Sequence, residues 1–255
     1  MLIIVCSVKN APGATTLGLG LAALWPENNA VLLECDPEGG DLAARFGHHP
    51  QPGLTGLAAV ARTEDAQVDL GEHAQELGVG ARVVLAPPGD AAAAAVQTLT
   101  YSGIEVLRRA ADEQAVILDI GRLARGKPGI RLAAVADHVL IVAGAQLSDA
   151  LQVQARLEWL RPELSGRLWL VRSGDNGYGS AELSRELKVP VLGEMPTSRL
   201  VAGALAGRLQ VPNWRRLKLA RAMRDMAITL TTAQPASILP PDTAAERLVA
   251  VEARS

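Results

Sequence analysis

Between Lys9 and Thr16 the chain reads KNAPGATT, a run whose residue types suit the gripping of a phosphate. Phosphate binding needs backbone N–H groups converging at a helix N-terminus, where the helix dipole also favours an anion. A lysine then places a point charge on the outer phosphates, and a hydroxyl coordinates magnesium. Gly13 allows close approach of a phosphate to the backbone, and Thr15 offers the hydroxyl. Asn10 tolerates the left-handed conformation and can stand in for a glycine. Pro12 removes one N–H donor, and Ala14 stands where a phosphate-binding loop carries its lysine.

Such a loop works only between a strand that ends before it and a helix that starts after it. The apolar run Leu2 to Val8 and the stretch Thr15 to Trp25 are predicted to supply the two. Further strands are predicted over Ala30 to Cys35, Ala81 to Ala86, Ala115 to Ile120, His138 to Val142, Arg167 to Val171 and Val189 to Gly193. Several are continuously apolar, as strands covered on both faces must be. Helices are predicted over Gly103 to Asp112, Ser148 to Leu160 and Ala181 to Leu187, while DAAAAAVQTL reads as a helical or loop connection. Strand and helix alternating in this way imply a doubly wound α/β fold, with a mostly parallel sheet and helices on both faces.

Composition sets the outer limits. A chain of 255 residues, nearly half of them apolar but only 3% aromatic, must build its core from Ala, Leu and Val. A net charge of −2 argues against a wholly basic nucleic-acid binder. No apolar stretch approaches the ~18 residues of a membrane span, and the start lacks a basic leader, so a cytoplasmic location is expected. Cys6 and Cys35 fall in strand-like runs without disulfide or metal spacing, and His48, His49, His73 and His138 read as surface residues. After Ala233 the composition changes to a Pro-containing tail. The expected division is therefore a domain over 1–233 and a tail over 234–255.

Lys9 to Thr16 resembles the deviant Walker A motif of the MinD/ParA family, K-G-G-x-G-K-T-T. Lys9 matches the signature lysine, which in that family reaches the phosphates across a nucleotide-sandwich dimer. Only four of the chain's 25 basic residues are lysines, so one at this position stands out. Ala14 departs from the motif, as do the residues at its two intermediate glycines. VLLECDPEGGDLA resembles the D-x-D-P-x-G segment, matching at Asp36, Pro37 and Gly39, with Glu34 where an aspartate is usual. AVILDIG resembles a Walker B strand with Asp119 at its end, and VPVLGEMPTSRLVAGALAGR resembles the late strand and the proline loop that borders the base. Arg172 stands in place of an adenine-reading Asn, and Ser198 in place of a common Asp.

The resemblance implies ATP and Mg²⁺ as ligands. Nucleotide contacts would come from Lys9, Asn10, Gly13, Ala14, Thr15, Thr16, Arg172 and Pro196. Metal contacts would come from Thr15, Asp36 and Asp119, and catalytic roles fall to Lys9 and Asp36. With Ala14 in place of the lysine, hydrolysis is expected to be weak or absent. RVVLAPPGDAAAA resembles the L-x-x-P segment of the CpaE/TadZ branch, which places pilus and secretion machinery. A homodimer that recruits a protein partner is therefore expected. An active partition or septum-site ATPase and a nucleotide-free scaffold are the alternatives.

Plainer readings stand beside these. Lys9 also reads as a solvated loop lysine, and Asp36 and Asp119 as strand-end carboxylates capping loops. Gly18 and Gly20 lie inside a helix, so packing explains them better than a dinucleotide motif. GDNGYGSAEL reads as a loop. NWRRLKLARAMRDMAITL is predicted to form a closing helix, with Trp214, Leu217, Ala220, Met223 and Leu230 near one face. Arg215, Arg216, Lys218, Arg221 and Arg224 populate the rest of it, a solvated basic face or a contact for anionic membrane or DNA at the cell periphery.

Overall fold

The computed structural model describes residues 1–9, 13–63, 68–164 and 167–233. In chain order the regular elements begin with β1 (Leu2–Ser7), α1 (Ala14–Leu24), β2 (Ala30–Glu34), α2 (Leu42–Phe46) and α3 (Leu54–Val60). Next come β3 (Gln75–Leu77), β4 (Ala81–Val84), α4 (Asp90–Ser102), α5 (Ile104–Glu113), β5 (Ala115–Arg122) and α6 (Gly129–Val135). The chain then continues through β6 (His138–Gly144), α7 (Leu147–Leu164), β7 (Leu168–Ser173), α8 (Ser180–Leu187), β8 (Val191–Met195), α9 (Arg199–Leu205) and α10 (Lys218–Thr232). The strands make one sheet in the order β3-β4-β2-β5-β1-β6-β7-β8. Among the described strands only the β3–β4 pair is antiparallel.

The predicted doubly wound architecture is present, and the apolar runs show why. Every side chain of β1 is buried. Leu2, Ile4 and Cys6 face a core shared with α3 to α8, and Ile3 and Val5 face one shared with α1, α9 and α10. Two covered faces leave no position in the strand for a polar side chain until its end. The chain winds one way from β1 to β2 and the other way to β6, so β1 lies at the reversal of strand order, where open α/β sheets form a ligand crevice.

The glycines of α1 are packing residues, as their place inside the helix implied. A Cβ at Gly20 would lie 2.2 Å from the Met223 sulfur, so α1 and α10 meet where neither could carry a larger pair. On α10, Leu219, Ala220, Met223, Met226, Ala227 and Leu230 form the buried stripe that the 3.6-residue period demands.

Several expectations need correction. The closing helix does not include Trp214: Leu217 is extended (φ −75, ψ 157), so Trp214–Arg216 forms a separate 3-10 turn before α10. Arg215 folds back to donate to the Val79 carbonyl at 3.1 Å. His138 is not at the surface. It is 2% exposed within β6, and Trp169 Nε1 donates to its Nδ1 at 3.1 Å. Burial lowers its pKa. The DAAAAAVQTL connection is helical, as part of α4. Strand β3 and helices α2, α3, α6 and α9 have no counterpart among the elements expected from sequence. Both cysteines are buried and free, and the 234–255 tail lies outside the described residues.

Candidate functional site

The loop after β1 turns into α1 at Gly13, whose φ of 103 and ψ of 27 place it in the left-handed region. Only glycine adopts that conformation readily. Gly13 has no side chain with which to cap α1, and among the described residues no side chain bonds the amides of its first turn. The methyl group of Ala14 is 2% exposed and belongs to the core beneath the sheet. Thr15 and Thr16 are half-buried and Lys9 is exposed. Asn10, Ala11 and Pro12 lie outside the described residues.

Three widely separated residues meet beside this helix end. The Thr15 side chain lies beside the carboxylate of Asp119, which is 3% exposed and accepts the Gly121 amide at 3.1 Å. Contrary to the expectation from sequence, Asp119 does not end its strand; β5 runs on to Arg122. The register slips there, with Val5 opposite Asp119 but Ser7 opposite Arg122. Gly121 makes that irregularity feasible, at φ +63. It also makes room: a Cβ at Gly121 would fall 1.9 Å from Asp36 Oδ2, so the Asp36 carboxylate rests against its backbone. Asp36 and Asp119 thus share one environment with Thr15.

Burial raises the pKa of Asp119, and the neighbouring Asp36 raises it further. Burial likewise raises Asp36. A hydroxyl and two carboxylates are hard oxygen donors of the kind Mg²⁺ takes together with several waters, so the donor set fits that ion. Among the described residues no cluster of three or more His, Cys, Asp or Glu makes an all-protein cage.

The raised carboxyls carry a sign for stability. Their folded pKa lies above the unfolded value of about 4, so the stability they contribute is full below that value. It is lost as pH rises through the folded pKa. Asp119→Asn removes this penalty and keeps an acceptor for Gly121. The ligand-free variant should therefore gain on the order of 1 kcal/mol, a few degrees in Tm at pH 7, and little at pH 4. A Tm drop at pH 7, measured by calorimetry across that range, would show that Asp119 is a structural anchor instead.

The base-side residues are placed differently. Met195, at the end of β8, approaches Gly13: a Cβ on the glycine would lie 3.3 Å from its methyl. Pro196 therefore follows directly beside the loop. It lines a cleft of about 530 Å³ together with Arg172, Asp175, Glu194 and Lys218. Arg172 is 6% exposed. Its Nε donates to the Tyr178 carbonyl at 2.9 Å and its Nη1 to the Gly174 carbonyl at 2.7 Å, with Glu194 at 3.5 Å. The guanidinium is spent on shaping its own loop, residues 174–178.

Sequence reasoning passed over one residue of this region. Glu34, noted only as a departure from aspartate, is 4% exposed at the end of β2 and aligned with Asp119. Burial raises its pKa against the opposing pull of three backbone amides. The available signal was an acid closing a run of buried aliphatic residues, VLLE.

No protein-family model matches the chain, and no curated protein sequence matches it. Solved structures do. A ParA family ATPase from Chlorobium tepidum TLS superposes with a TM-score of 0.68 at 16% identity, covering 90% of this chain and 98% of that one. The septum site-determining protein MinD from Pyrococcus horikoshii OT3, complexed with Mg-ADP, gives 0.69 at 13% identity, covering 91% and 96%. A point variant of McdA from Cyanothece, in complex with ATP, gives 0.65 at 18% identity, covering 92% and 98%. The chain is similar to these in fold: its eight-stranded, mostly parallel sheet with helices on both faces is that of the MinD/ParA-type P-loop ATPases.

Proposed function

We propose that this chain is a degenerate MinD/ParA-like nucleotide-binding protein. It binds Mg²⁺ and ATP, turns ATP over slowly or not at all, and uses nucleotide-biased dimerisation to position or recruit a cellular machine. One observation carries the reading. Thr15, Asp119 and Asp36 lie together as oxygen donors of the kind Mg²⁺ takes, whereas the buried methyl of Ala14 stands at the loop position of the cation. Bound Mg²⁺ would neutralise phosphate charge. The chain itself would hold the phosphates on the α1 amides, orient the metal through Thr15 and Asp119, and present Lys9 from the exposed loop. The Mg-ADP and ATP complexes of the MinD and McdA neighbours support this choice of ligand.

Without a lysine at position 14 against the transferring phosphoryl group, a large share of the electrostatic stabilisation of its transition state is missing. ATP titration with and without Mg²⁺, followed by an ATPase assay, tests the reading. Mg²⁺-dependent binding with little turnover is the expected result. Brisk turnover makes the chain an active partition-type ATPase, and absence of binding makes it a scaffold. The machine we favour is pilus or secretion apparatus, on the resemblance of RVVLAPPGD to the CpaE/TadZ branch.

The same reading includes an anionic contact. Among the described residues no helix is long and apolar enough to cross a membrane. Arg216, Lys218, Arg221 and Arg224 are exposed around the start of α10, whereas Arg215 is tied to Val79. Binding through such a face weakens as salt shortens the Debye length to about 8 Å at physiological ionic strength. Arg221→Glu with Arg224→Glu should abolish low-salt co-sedimentation with anionic vesicles, or a DNA mobility shift, without changing Tm. If the unmodified chain binds neither at low salt, the face is merely solvated.

A further inference from the structure

We infer that Glu34 is a positioning residue for Asp36, one that sets the site's response to Mg²⁺. This rests on the nucleotide reading above. Glu34 Oε1 accepts the amides of Asp41 at 2.9 Å and Leu42 at 3.0 Å, and Oε2 accepts the amide of Ala86 at 3.0 Å. One buried carboxylate thereby joins two segments: the entry to α2 and the chain leaving β4. Between Glu34 and those amides runs the strap that carries Asp36.

The strap is tied down along its length. Gly39 donates to the Asp36 carbonyl at 3.0 Å, and Gly40 donates to the Pro87 carbonyl at 3.1 Å. Gly39 also forms an isolated bridge with Pro88. The Glu38 amide donates to Asp36 Oδ1 at 2.9 Å. The contact is close enough to need glycine: a Cβ at Gly40 would stand 2.6 Å from both the Ala86 carbonyl and Glu34 Oε2. With the strap anchored at its end by Glu34 and the Asp36 carboxylate resting on Gly121, that carboxylate is held near Asp119.

A charged carboxylate is costly to bury unless its lone pairs are filled. Glu34 fills them with amides from two segments, which an aspartate, shorter by about 1.5 Å, cannot reach together. Glutamine keeps the length but turns an N–H₂ toward one set of amides, leaving buried donors facing each other. Both substitutions therefore release one end of the clamp. Groups that orient metal ligands in this way typically change metal affinity by about 10- to 100-fold when removed.

The test uses the full chain with Glu34→Gln, Glu34→Asp and, from the strap side, Gly40→Ala. The first readout needs no nucleotide. Amide hydrogen exchange of Glu38 and Gly39, which are bonded to Asp36 and not to Glu34, should accelerate in all three variants along with Asp41 and Leu42. The second is the ratio of ATP Kd without Mg²⁺ to ATP Kd with it. This ratio should fall about tenfold, while the Mg²⁺-free Kd stays within about twofold. Unchanged exchange at Glu38 and Gly39 overturns the inference. So does an equal loss of affinity with and without Mg²⁺, which a general loosening of the fold produces. If the unmodified chain binds no ATP, the nucleotide reading fails by itself, and the exchange pattern still decides whether Glu34 holds Asp36. Should the Glu34 variants unfold, Gly40→Ala, which leaves the carboxylate intact, carries the test alone.

Discussion

Ala14→Lys should tighten ATP binding by roughly 10- to 100-fold and raise turnover with it. A charge-assisted contact to phosphate contributes about 1.5–3 kcal/mol, and each 1.4 kcal/mol is tenfold in affinity. Two opposing effects are smaller. A cation in the first turn of α1 meets the positive end of the helix dipole, at about 0.3–1 kcal/mol. The buried Ala14 methyl, 2% exposed, has to be partly surrendered, at roughly 0.8 kcal/mol. Both act on the ligand-free protein, so the variant should melt a few degrees lower alone and higher with saturating ATP. Titration calorimetry and melting with and without Mg-ATP would read both changes. A lower Tm with no gain in affinity would mean that Ala11 and Pro12 have given the loop a shape in which a lysine cannot reach the phosphates.

Lys9→Ala should abolish ATP-dependent dimers while leaving the monomer fold unchanged. Lys9 is exposed, so truncating it removes almost no buried surface and changes stability by less than about 0.5 kcal/mol. If it reaches the phosphates of a nucleotide held by a second copy, the charge it supplies belongs to the dimer alone. Its loss then acts on association, at about 1.5–3 kcal/mol for each of two symmetric contacts. Two such losses weaken the dimer by roughly a hundredfold or more. Light scattering across a protein concentration series, with and without Mg-ATP, measures this directly. A dimer indifferent to nucleotide and to the substitution would favour the scaffold reading.

The sheet was legible because its central strands are buried on both faces. LIIVCS, AVLLE and HVLIVAG leave almost nothing polar to obscure the pattern. Strand β3 was not legible for the opposite reason: QEL is three residues at a sheet edge, with one of them buried. Helices α2, α3 and α9 span five to seven residues, too few to display a 3.6-residue period. The break before α10 hides in Leu217, an ordinary helix former whose extended backbone answers to its surroundings and not to propensity.

At the site, the grouping of Thr15 with Asp36 and Asp119 was what the family resemblance implied, and the structure sets Asp119 beside Thr15 and Asp36 against Gly121. Their chemical roles are the subject of the experiments above. Two things were out of reach. That Arg172 turns its guanidinium onto Gly174 and Tyr178 depends on how a loop of glycines at φ +91 and +100 wraps around it. That Glu34 bridges Leu42 and Ala86 depends on long-range packing between segments with no shared local pattern.

The position of β1 sets when this site can come into being during synthesis. Val5 pairs with Asp119 on one side and Leu140 on the other, so β1 is flanked by two strands made more than 100 residues after it. A ribosome that has delivered β1, Thr15 and Asp36 has delivered none of the strands that flank β1. Contacts of such long sequence separation form slowly, because loop closure precedes any gain from pairing. Once made, β1 must wait, apolar and unpaired, for β5 and β6. The loop's charge-poor neighbours LIIVCS are therefore most exposed to mispairing and chaperone capture before Gly144 leaves the exit tunnel.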